Sequence, residues 1–138
     1  MTLPIGELAK RTGVKVPTIR FYEQIGLLDP PPRTDGNQRR YGGPEVERLN
    51  FIRHARELGF EVEDIRELLA MSGQPQASCH QADSIAQNHL REVDRRIASL
   101  TALRRELARM VDECGHGRIC DCRIIEVLAD HSQCRSEH

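Results

Sequence analysis

One stretch of the sequence repeats apolar residues in a strict alternation of four and three positions. The repeat covers residues 86–111, and its apolar members are Ala86, Leu90, Val93, Ile97, Leu100, Leu107 and Val111. Arg104 is the one break, and charged residues occupy the other faces. This spacing predicts a long α-helix that pairs with another helix in a coiled coil. Because a single helix cannot bury such a stripe, we expect a homodimer; the alternative is a helix folded back on its own domain.

The composition favours a helical, cytoplasmic protein. Hydrophobic residues make up 38% of the 138 residues, with three Phe, two Tyr and no Trp, which suits a core of Leu, Ile and Val. No run of 18 apolar residues occurs, and Glu7, Lys10 and Arg11 interrupt the start, so we expect neither a membrane span nor a signal peptide. In a reducing compartment, five cysteines indicate metal or redox chemistry rather than structural disulfides.

The N-terminal part has the pattern of a helix-turn-helix followed by a wing. Residues 5–11 are spaced as a short helix that ends before Gly13, and a second helix begins at Val16 and continues to Gly26. Three prolines and an Asp-Gly-Asn turn then predict a two-stranded wing over residues 29–41. Two short helices joined by a tight turn are typical of DNA-binding domains.

The rest of the chain completes a predicted all-α organisation. Residues 44–54 and 62–71 have the apolar spacing of two more helices, and residues 72–78 have the composition of a linker. We therefore divide the chain into a DNA-binding domain (1–71), a linker (72–79), a dimerisation helix (80–112) and a C-terminal segment (113–138). The C-terminal segment holds a cysteine-rich loop, a short apolar helix and a tail.

The distribution of charge points to an anionic partner for the N-terminal part. Residues 1–56 carry ten Lys or Arg against six Asp or Glu, whereas residues 57–138 carry ten against fifteen. The second helix offers Thr18, Arg20 and Tyr22, and the wing offers Arg33, Arg39, Arg40 and Tyr41. Such side chains suit base edges and backbone phosphates. The alternative is a solvated basic surface with buried aromatic rings.

Several segments resemble the MerR family of metal-responsive transcription regulators. They are IGELAKRTGVKVPTIRFYEQIGLL, RTDGNQRRY and RLNFIRHARELGFEVEDIRELL, followed by a long helix and a cysteine loop. The resemblance implies a winged helix-turn-helix domain with a small β wing, an antiparallel coiled-coil dimer and a metal site at the end of the coil. It also implies that the dimer binds an over-long promoter spacer and, with metal, bends and untwists the DNA so that RNA polymerase engages both promoter elements.

The resemblance also assigns candidate DNA contacts. Arg20 and Tyr22 match recognition-helix residues that touch DNA, and Arg33, Arg39 and Tyr41 match phosphate contacts of the wing. The full predicted DNA-binding set is Lys15, Thr18, Arg20, Tyr22, Arg33, Arg39, Tyr41 and Arg53.

The cysteine loop, CGHGRICDC at residues 114–122, is the candidate metal site. Thiolates select soft or borderline ions such as Cu(I), Zn(II), Cd(II), Pb(II) and Hg(II) over Mg or Ca. The resemblance implies that Cys114 and Cys122 form the core of this site. The loop length between them is similar to that of the copper-sensing branch of the family.

Cys79 favours a divalent ion instead. In the resembled family, sensors of monovalent ions carry a serine at this place, whereas sensors of divalent ions carry a cysteine that reaches in from the partner subunit. We therefore expect Zn, Cd, Pb or Hg as the effector, with Cu(I) as the alternative. His116 and Cys120 are further candidate ligands; otherwise the histidine is an exposed loop residue and the cysteine a spare thiol.

Two other functions fit the cysteines less well. An enzyme would need a phosphate loop, a strand-helix scaffold or a cleft-forming second domain, and the sequence predicts none of them, so we expect no enzymatic activity. A thiol or iron-sulfur redox sensor of the same fold is the remaining alternative. An iron-sulfur cluster usually takes four closely spaced thiolates from one chain, and this loop has three.

Overall fold

A computed structural model of the chain describes residues 2–36, 38–114, 117 and 122–129. Within these residues the fold is almost entirely helical, which confirms the predicted fold class. The helices are α1 (Ile5–Thr12), α2 (Val16–Gln24), α3 (Gly43–Glu57), α4 (Val62–Ser72), α5 (His80–Asp112) and α6 (Arg123–Ala129).

The chain forms two compact units, residues 1–85 and residues 86–138. The first unit includes the beginning of α5 up to Ile85, whose side chain is buried. It therefore extends beyond residues 1–71, which the sequence assigned to the DNA-binding domain.

Helices α1 to α4 pack around one hydrophobic core in the first unit. Its fully buried members come from all four helices and include Leu8, Ile19, Leu49, Ile52 and Ile65. Fully burying an aliphatic side chain of this size stabilises a fold by about 1.5–3 kcal/mol. This core holds α2 and fixes which of its faces reaches the surface.

The turn between α1 and α2 depends on Thr12 and Gly13. The Thr12 hydroxyl donates to the Leu8 carbonyl at 2.9 Å and accepts from the Val14 amide at 3.3 Å. Gly13 has a φ of 73° and donates its amide to the Ala9 carbonyl at 2.9 Å. Glycine adopts this left-handed conformation without the steric penalty that a Cβ brings, so three residues, 13–15, are enough to connect α1 to α2.

The predicted two-stranded wing is present only as isolated antiparallel bridges among the described residues. Arg33 pairs with Arg39, and Leu3 pairs with Tyr41 through amide-carbonyl distances of 2.7 and 2.8 Å. The pairing is therefore shorter than the two regular strands that the sequence predicted. Prolines occupy residues 30–32 and have no amide hydrogen to donate, so the pairing cannot continue past Arg33.

In the second unit, the long helix α5 leaves most of its apolar stripe uncovered. Leu90, Ile97, Leu100, Leu107 and Val111 are each more than half exposed. Among the described residues of this unit, the buried ones are Glu106, Met110 and Val127, toward the end of α5 and in α6. None of the helices in the described part of the chain combines the length and apolar character needed to span a membrane.

A Gly13→Ala substitution should lower the free energy of unfolding by about 1–2 kcal/mol, because alanine is forced into a left-handed conformation. The measurement is urea unfolding followed by circular dichroism.

Gly6→Ala is the matched control, since a Cβ on Gly6 meets no atom within 4 Å and alanine favours the helix. It should leave stability unchanged or slightly higher. Equal stability of the two variants would contradict the role given to Gly13.

Candidate DNA-binding surface and metal centre

Helix α2 turns one face into the core and the other toward solvent. Ile19 is fully buried and Tyr22 is 8% exposed, whereas Arg20 is exposed and Thr18 is partly exposed. Lys15 is exposed at the position before the helix, and Pro17 lies in its first turn. The surface face of α2 thus carries Thr18 and Arg20, with Lys15 at its start, while Tyr22 belongs to the core.

A cleft of about 320 Å³ brings α2 and the wing together. It is lined by Pro4, Ile5, Arg20, Arg33, Gln38, Arg39 and Tyr41. Three of its side chains are guanidinium groups, which stay protonated and have planar donor arrays that match phosphate oxygens. Three predicted arginines that lie up to nineteen positions apart, Arg20, Arg33 and Arg39, therefore share one cationic cleft.

Gln38 lines the same cleft and was not predicted. The signal in the sequence was weak, because a single glutamine in a polar loop is common and carries no charge. Its amide offers both a donor and an acceptor beside the arginines.

Tyr41 forms a buried link between the wing and α2. Its side chain is 1% exposed, and its hydroxyl donates to Glu23 Oε2 at 2.8 Å. Burial and the hydrogen bond with Glu23 raise the pKa of Tyr41 to about 12. The hydroxyl proton is thus held by Glu23, and the phosphate contact expected for Tyr41 stays a prediction.

The remaining predicted DNA contacts have protein partners as well. Arg39 donates from Nη1 to the Pro31 carbonyl at 3.0 Å, which ties the two sides of the wing. Arg53 on α3 forms an ion pair of 2.9 Å with Glu57, and its Nε has no hydrogen-bond partner among the described residues. A guanidinium has five N–H groups, so both arginines retain donors for a second acceptor.

Cys114 and Cys122 lie together in the second unit. Cys114 follows the end of α5, and Cys122 immediately precedes α6, whose Glu126 amide donates to the Cys122 carbonyl at 3.0 Å. The hydrogen bond from the Ile125 amide lowers the pKa of Cys122 most, and hydrogen bonds from the Ile124 amide and the Cys114 thiol lower it further. Burial raises this pKa, but by less than the three hydrogen bonds together lower it. The thiolate form that binds soft metals is therefore favoured at Cys122.

An ion pair closes the segment on which these cysteines lie. Glu113 precedes Cys114, Arg123 follows Cys122, and Arg123 Nε lies 2.7 Å from Glu113 Oε2. Arg123 also pairs with Glu126 at 2.9 Å. These contacts join the end of α5 to the start of α6, and they hold the two cysteines at the same end of the helix pair.

Of the other predicted ligands, the structure describes only Cys79. Cys79 is an exposed thiol in the first unit, directly before α5, and its carbonyl accepts from the Asp83 amide at 2.9 Å. His116 and Cys120 lie outside the described residues. Within the described ranges, no cluster of three His, Cys, Asp or Glu side chains is present. The pair formed by Cys114 and Cys122 is the part of the predicted site that the structure brings together, and two thiols in contact fit a thiophilic ion.

Comparisons with known proteins agree in the family that they indicate. Residues 3–72 match the family model for the MerR HTH family regulatory protein, and residues 46–110 match the model for MerR, DNA binding. The heavy metal-dependent transcription regulator 2 of Rhizobium meliloti (strain 1021) is 41% identical over 128 residues, which are 93% of this chain and 87% of that protein. The HTH-type transcriptional regulator ZntR of Escherichia coli (strain K12) is 43% identical over 128 residues, or 90% of each chain.

A solved structure gives the same indication. The transcription regulator PbrR691 from Ralstonia metallidurans CH34, in complex with lead(II), superimposes with a TM-score of 0.79 at 35% identity. The match covers 91% of this chain and 98% of that one.

A Tyr41→Phe substitution should lower the free energy of unfolding at neutral pH by about 1.5–3 kcal/mol, since it removes a buried hydrogen bond to a carboxylate. Because folding raises the pKa of Tyr41 from 10.0 to about 12, the wild type should lose stability relative to the variant as the pH rises through that interval. Urea unfolding at a series of pH values measures both effects.

Glu23→Gln is the matched variant, because it removes the charge and keeps an oxygen acceptor. It should cost less than Tyr41→Phe. If the Tyr41→Phe protein is as stable as the wild type at pH 7, the hydrogen bond between Tyr41 and Glu23 does not contribute to the free energy of unfolding.

Proposed function

This chain belongs to the MerR family of helix-turn-helix transcription regulators, and we propose that it is a divalent-metal sensor that activates a promoter. A homodimer binds the promoter, and the binding of Zn, Cd, Pb or Hg distorts the spacer DNA so that RNA polymerase can engage it. The pairing of Cys114 and Cys122 beyond the end of a long helix is the observation that carries the proposal.

The DNA-binding part of the proposal is supported by the cationic cleft. Arg20 lies on α2 between the core-facing residues, and Arg33 and Arg39 face it from the wing. A recognition helix with a flanking basic wing can read base edges in the major groove and neutralise phosphates beside it. We assign Arg20 and Thr18 to α2 contacts, Arg33 and Arg39 to phosphates, and Lys15 and Arg53 to the margins of the same surface. The contacts predicted for Tyr22 and Tyr41 would involve only their hydroxyls, because both rings are buried.

The dimer is supported by the exposed stripe of α5. Its large apolar side chains are more than half exposed in a single chain, and they recur at coiled-coil spacing. A second copy with the same stripe is the partner that this pattern suits, because like stripes interdigitate as knobs and holes. Removing these side chains from water supplies the driving force for dimerisation.

The metal part of the proposal adds a third thiolate to the paired cysteines. Cys114 and Cys122 provide two, and we propose that Cys79 of the partner subunit provides the other. Three thiolates suit a soft or borderline divalent ion, which takes three or four ligands, and the bound ion would offset their negative charge. His116 or Cys120 then completes the coordination or holds a second ion. The relatives named heavy metal-dependent transcription regulator 2 and PbrR691 in complex with lead(II) are consistent with this class of ion.

A copper sensor is the second candidate. The two cysteines of the loop alone suit a linear two-coordinate Cu(I), and the seven residues between them favour it. Cys79 decides between the two candidates, because the number of thiolates restricts coordination directly whereas loop length varies easily.

Activation through DNA shape is energetically accessible to such a switch. Bending a promoter-sized site costs of order 1–6 kcal/mol. Allosteric coupling between two sites is typically about 1–3 kcal/mol. A metal ion that stabilises the complex with distorted DNA by about 1–3 kcal/mol therefore raises the fraction of promoters in the active conformation severalfold or more.

Arg20→Ala should weaken DNA binding by about 10-fold or more, because it removes a base or phosphate contact at the centre of the cleft. The measurement is fluorescence anisotropy with a duplex selected in vitro against the wild-type protein.

Arg95→Ala is the matched control, as it removes an equal charge from the exposed surface of α5. It should bind DNA as the wild type does. Unchanged affinity of Arg20→Ala, with the same oligomeric state and metal content as the wild type, would refute the assignment of α2 as the recognition helix.

Cys79→Ser should abolish the transcriptional response to Zn, Cd, Pb and Hg and give a response to copper or silver. The reason is the loss of one thiolate, which leaves two for a linear monovalent ion. A reporter fused to the regulated promoter and titrated with each ion measures the response.

Cys134 is the fifth cysteine of the chain and lies in the C-terminal tail, outside the proposed ligand set. Cys134→Ser therefore serves as the control for the loss of a thiol and should keep the wild-type response. A Cys79→Ser protein that responds fully to the divalent ions would show the divalent assignment to be wrong. Anaerobic purification followed by an absorption spectrum tests the remaining alternative. Visible iron-sulfur bands would show that the protein is a redox sensor and not a sensor of divalent metal ions.

A further inference from the structure

The C-terminal end of α2 lacks any basic side chain of its own. The helix ends at Gln24, and no Lys, Arg or His lies in its last turn. The amides of Leu27 and Leu28 fold back onto the Tyr22 carbonyl at 2.9 and 3.2 Å, and Gly26, with a φ of 76°, allows this turn. The carbonyls of Ile25 and Leu27 then project beyond the helix end, where the helix dipole is negative.

Two arginines from other helices bind these carbonyls. Arg66 on α4 donates from Nη2 to the Ile25 carbonyl at 3.0 Å. Arg48 on α3 donates from Nε to the Leu27 carbonyl at 2.8 Å. Both are charge-assisted hydrogen bonds. The one to Ile25, the residue that caps α2, is also favoured by the helix dipole, whereas Leu27 lies in the turn that follows the helix.

Glu63 also holds one of these arginines. Its carboxylate lies 3.6 Å from Arg66 Nε, one turn earlier on α4. Arg66 thus has the Ile25 carbonyl at Nη2 and the Glu63 carboxylate near Nε, and both groups lie on the same edge of its guanidinium.

These contacts determine how α2 leaves the core. Leu27 and Leu28 are 0% and 1% exposed, so the chain just after α2 is anchored in the core, and the arginines fix the helix end above that anchor. Arg20 lies on the same short helix. A change in the tilt of α2 therefore moves Arg20 relative to Arg33 and Arg39 across the cleft.

We propose that Arg66 and Arg48 are positioning residues for DNA recognition. They hold the recognition helix at the angle at which Arg20 faces DNA, and they do so without contacting DNA themselves. This inference rests on the proposed role of α2 in DNA binding, and it assigns part of the binding energy to residues outside the cleft.

The test compares DNA affinity over a series of KCl concentrations for Arg66→Met, Arg48→Met and Arg33→Ala, with Arg95→Met as the control, using the duplex selected against the wild-type protein. A lost phosphate contact lowers the slope of log Kd against log salt by about 1, as expected for Arg33→Ala. Arg66→Met and Arg48→Met should weaken binding by about 5-fold at every salt concentration and leave that slope unchanged.

Arg66→Lys should recover part of the affinity, because an ammonium group also donates to a carbonyl. Glu63→Gln is a milder variant that releases Arg66 and keeps the fold if Arg66→Met fails to fold; it should weaken binding in the same direction. Circular dichroism below the melting transition verifies that each protein is folded.

Two outcomes would overturn the proposal. A reduced salt slope for Arg66→Met would make Arg66 a DNA contact, and a lower melting temperature with unchanged Kd would make its role purely structural. If Arg20→Ala itself leaves DNA affinity unchanged, the failure lies in the proposed function and not in the positioning by Arg66 and Arg48.

Discussion

The apolar stripe of α5 is the constraint on which the rest of the protein depends. A helix of this length with large exposed side chains on one face is not a stable end state for a single chain in water. Covering that face with a second copy brings two DNA-binding units onto one molecule. It also makes a metal site shared between subunits possible, because ligands from two chains are then held in a fixed relation. In the proposed function, DNA binding by two copies and the response to metal both depend on covering this apolar face.

The sequence predicts the helices of this fold well, but it does not predict which side chains of α2 and the wing are buried. The alternation of four and three positions predicted the long helix, and glycine and proline signals gave the turn between α1 and α2. The wing is shorter than the two regular strands expected, because an Asp-Gly-Asn turn in a polar segment does not specify how far the pairing extends from it. Tyr22 and Tyr41 have hydroxyl groups that suggest surface contacts, yet both rings are buried. A local pattern does not reveal which face of a short helix the core will cover.

The roles of Arg48 and Arg66 could not be predicted at all. Their acceptors are backbone carbonyls that lie 21 and 41 positions away in the sequence, and a carbonyl has no sequence signature. In contrast, the cysteine pair was visible at once, because soft-metal chemistry requires one residue type and the chain concentrates it in nine positions. The structure adds that Cys122 is held by backbone amides and by Cys114, which no spacing argument contains. The metal-ligand set, including this pair, stays a prediction.

The arginine contacts at the end of α2 have one more consequence. Both acceptors belong to the main chain, so they are present whatever side chains α2 carries. The frame that docks the helix is thereby separated from the surface that faces the target. Residues such as Thr18 and Arg20 can be exchanged during evolution, or by an engineer, without dismantling the support beneath them. A domain with this support can acquire a new target sequence while the contacts of Arg48 and Arg66 with the main chain stay the same.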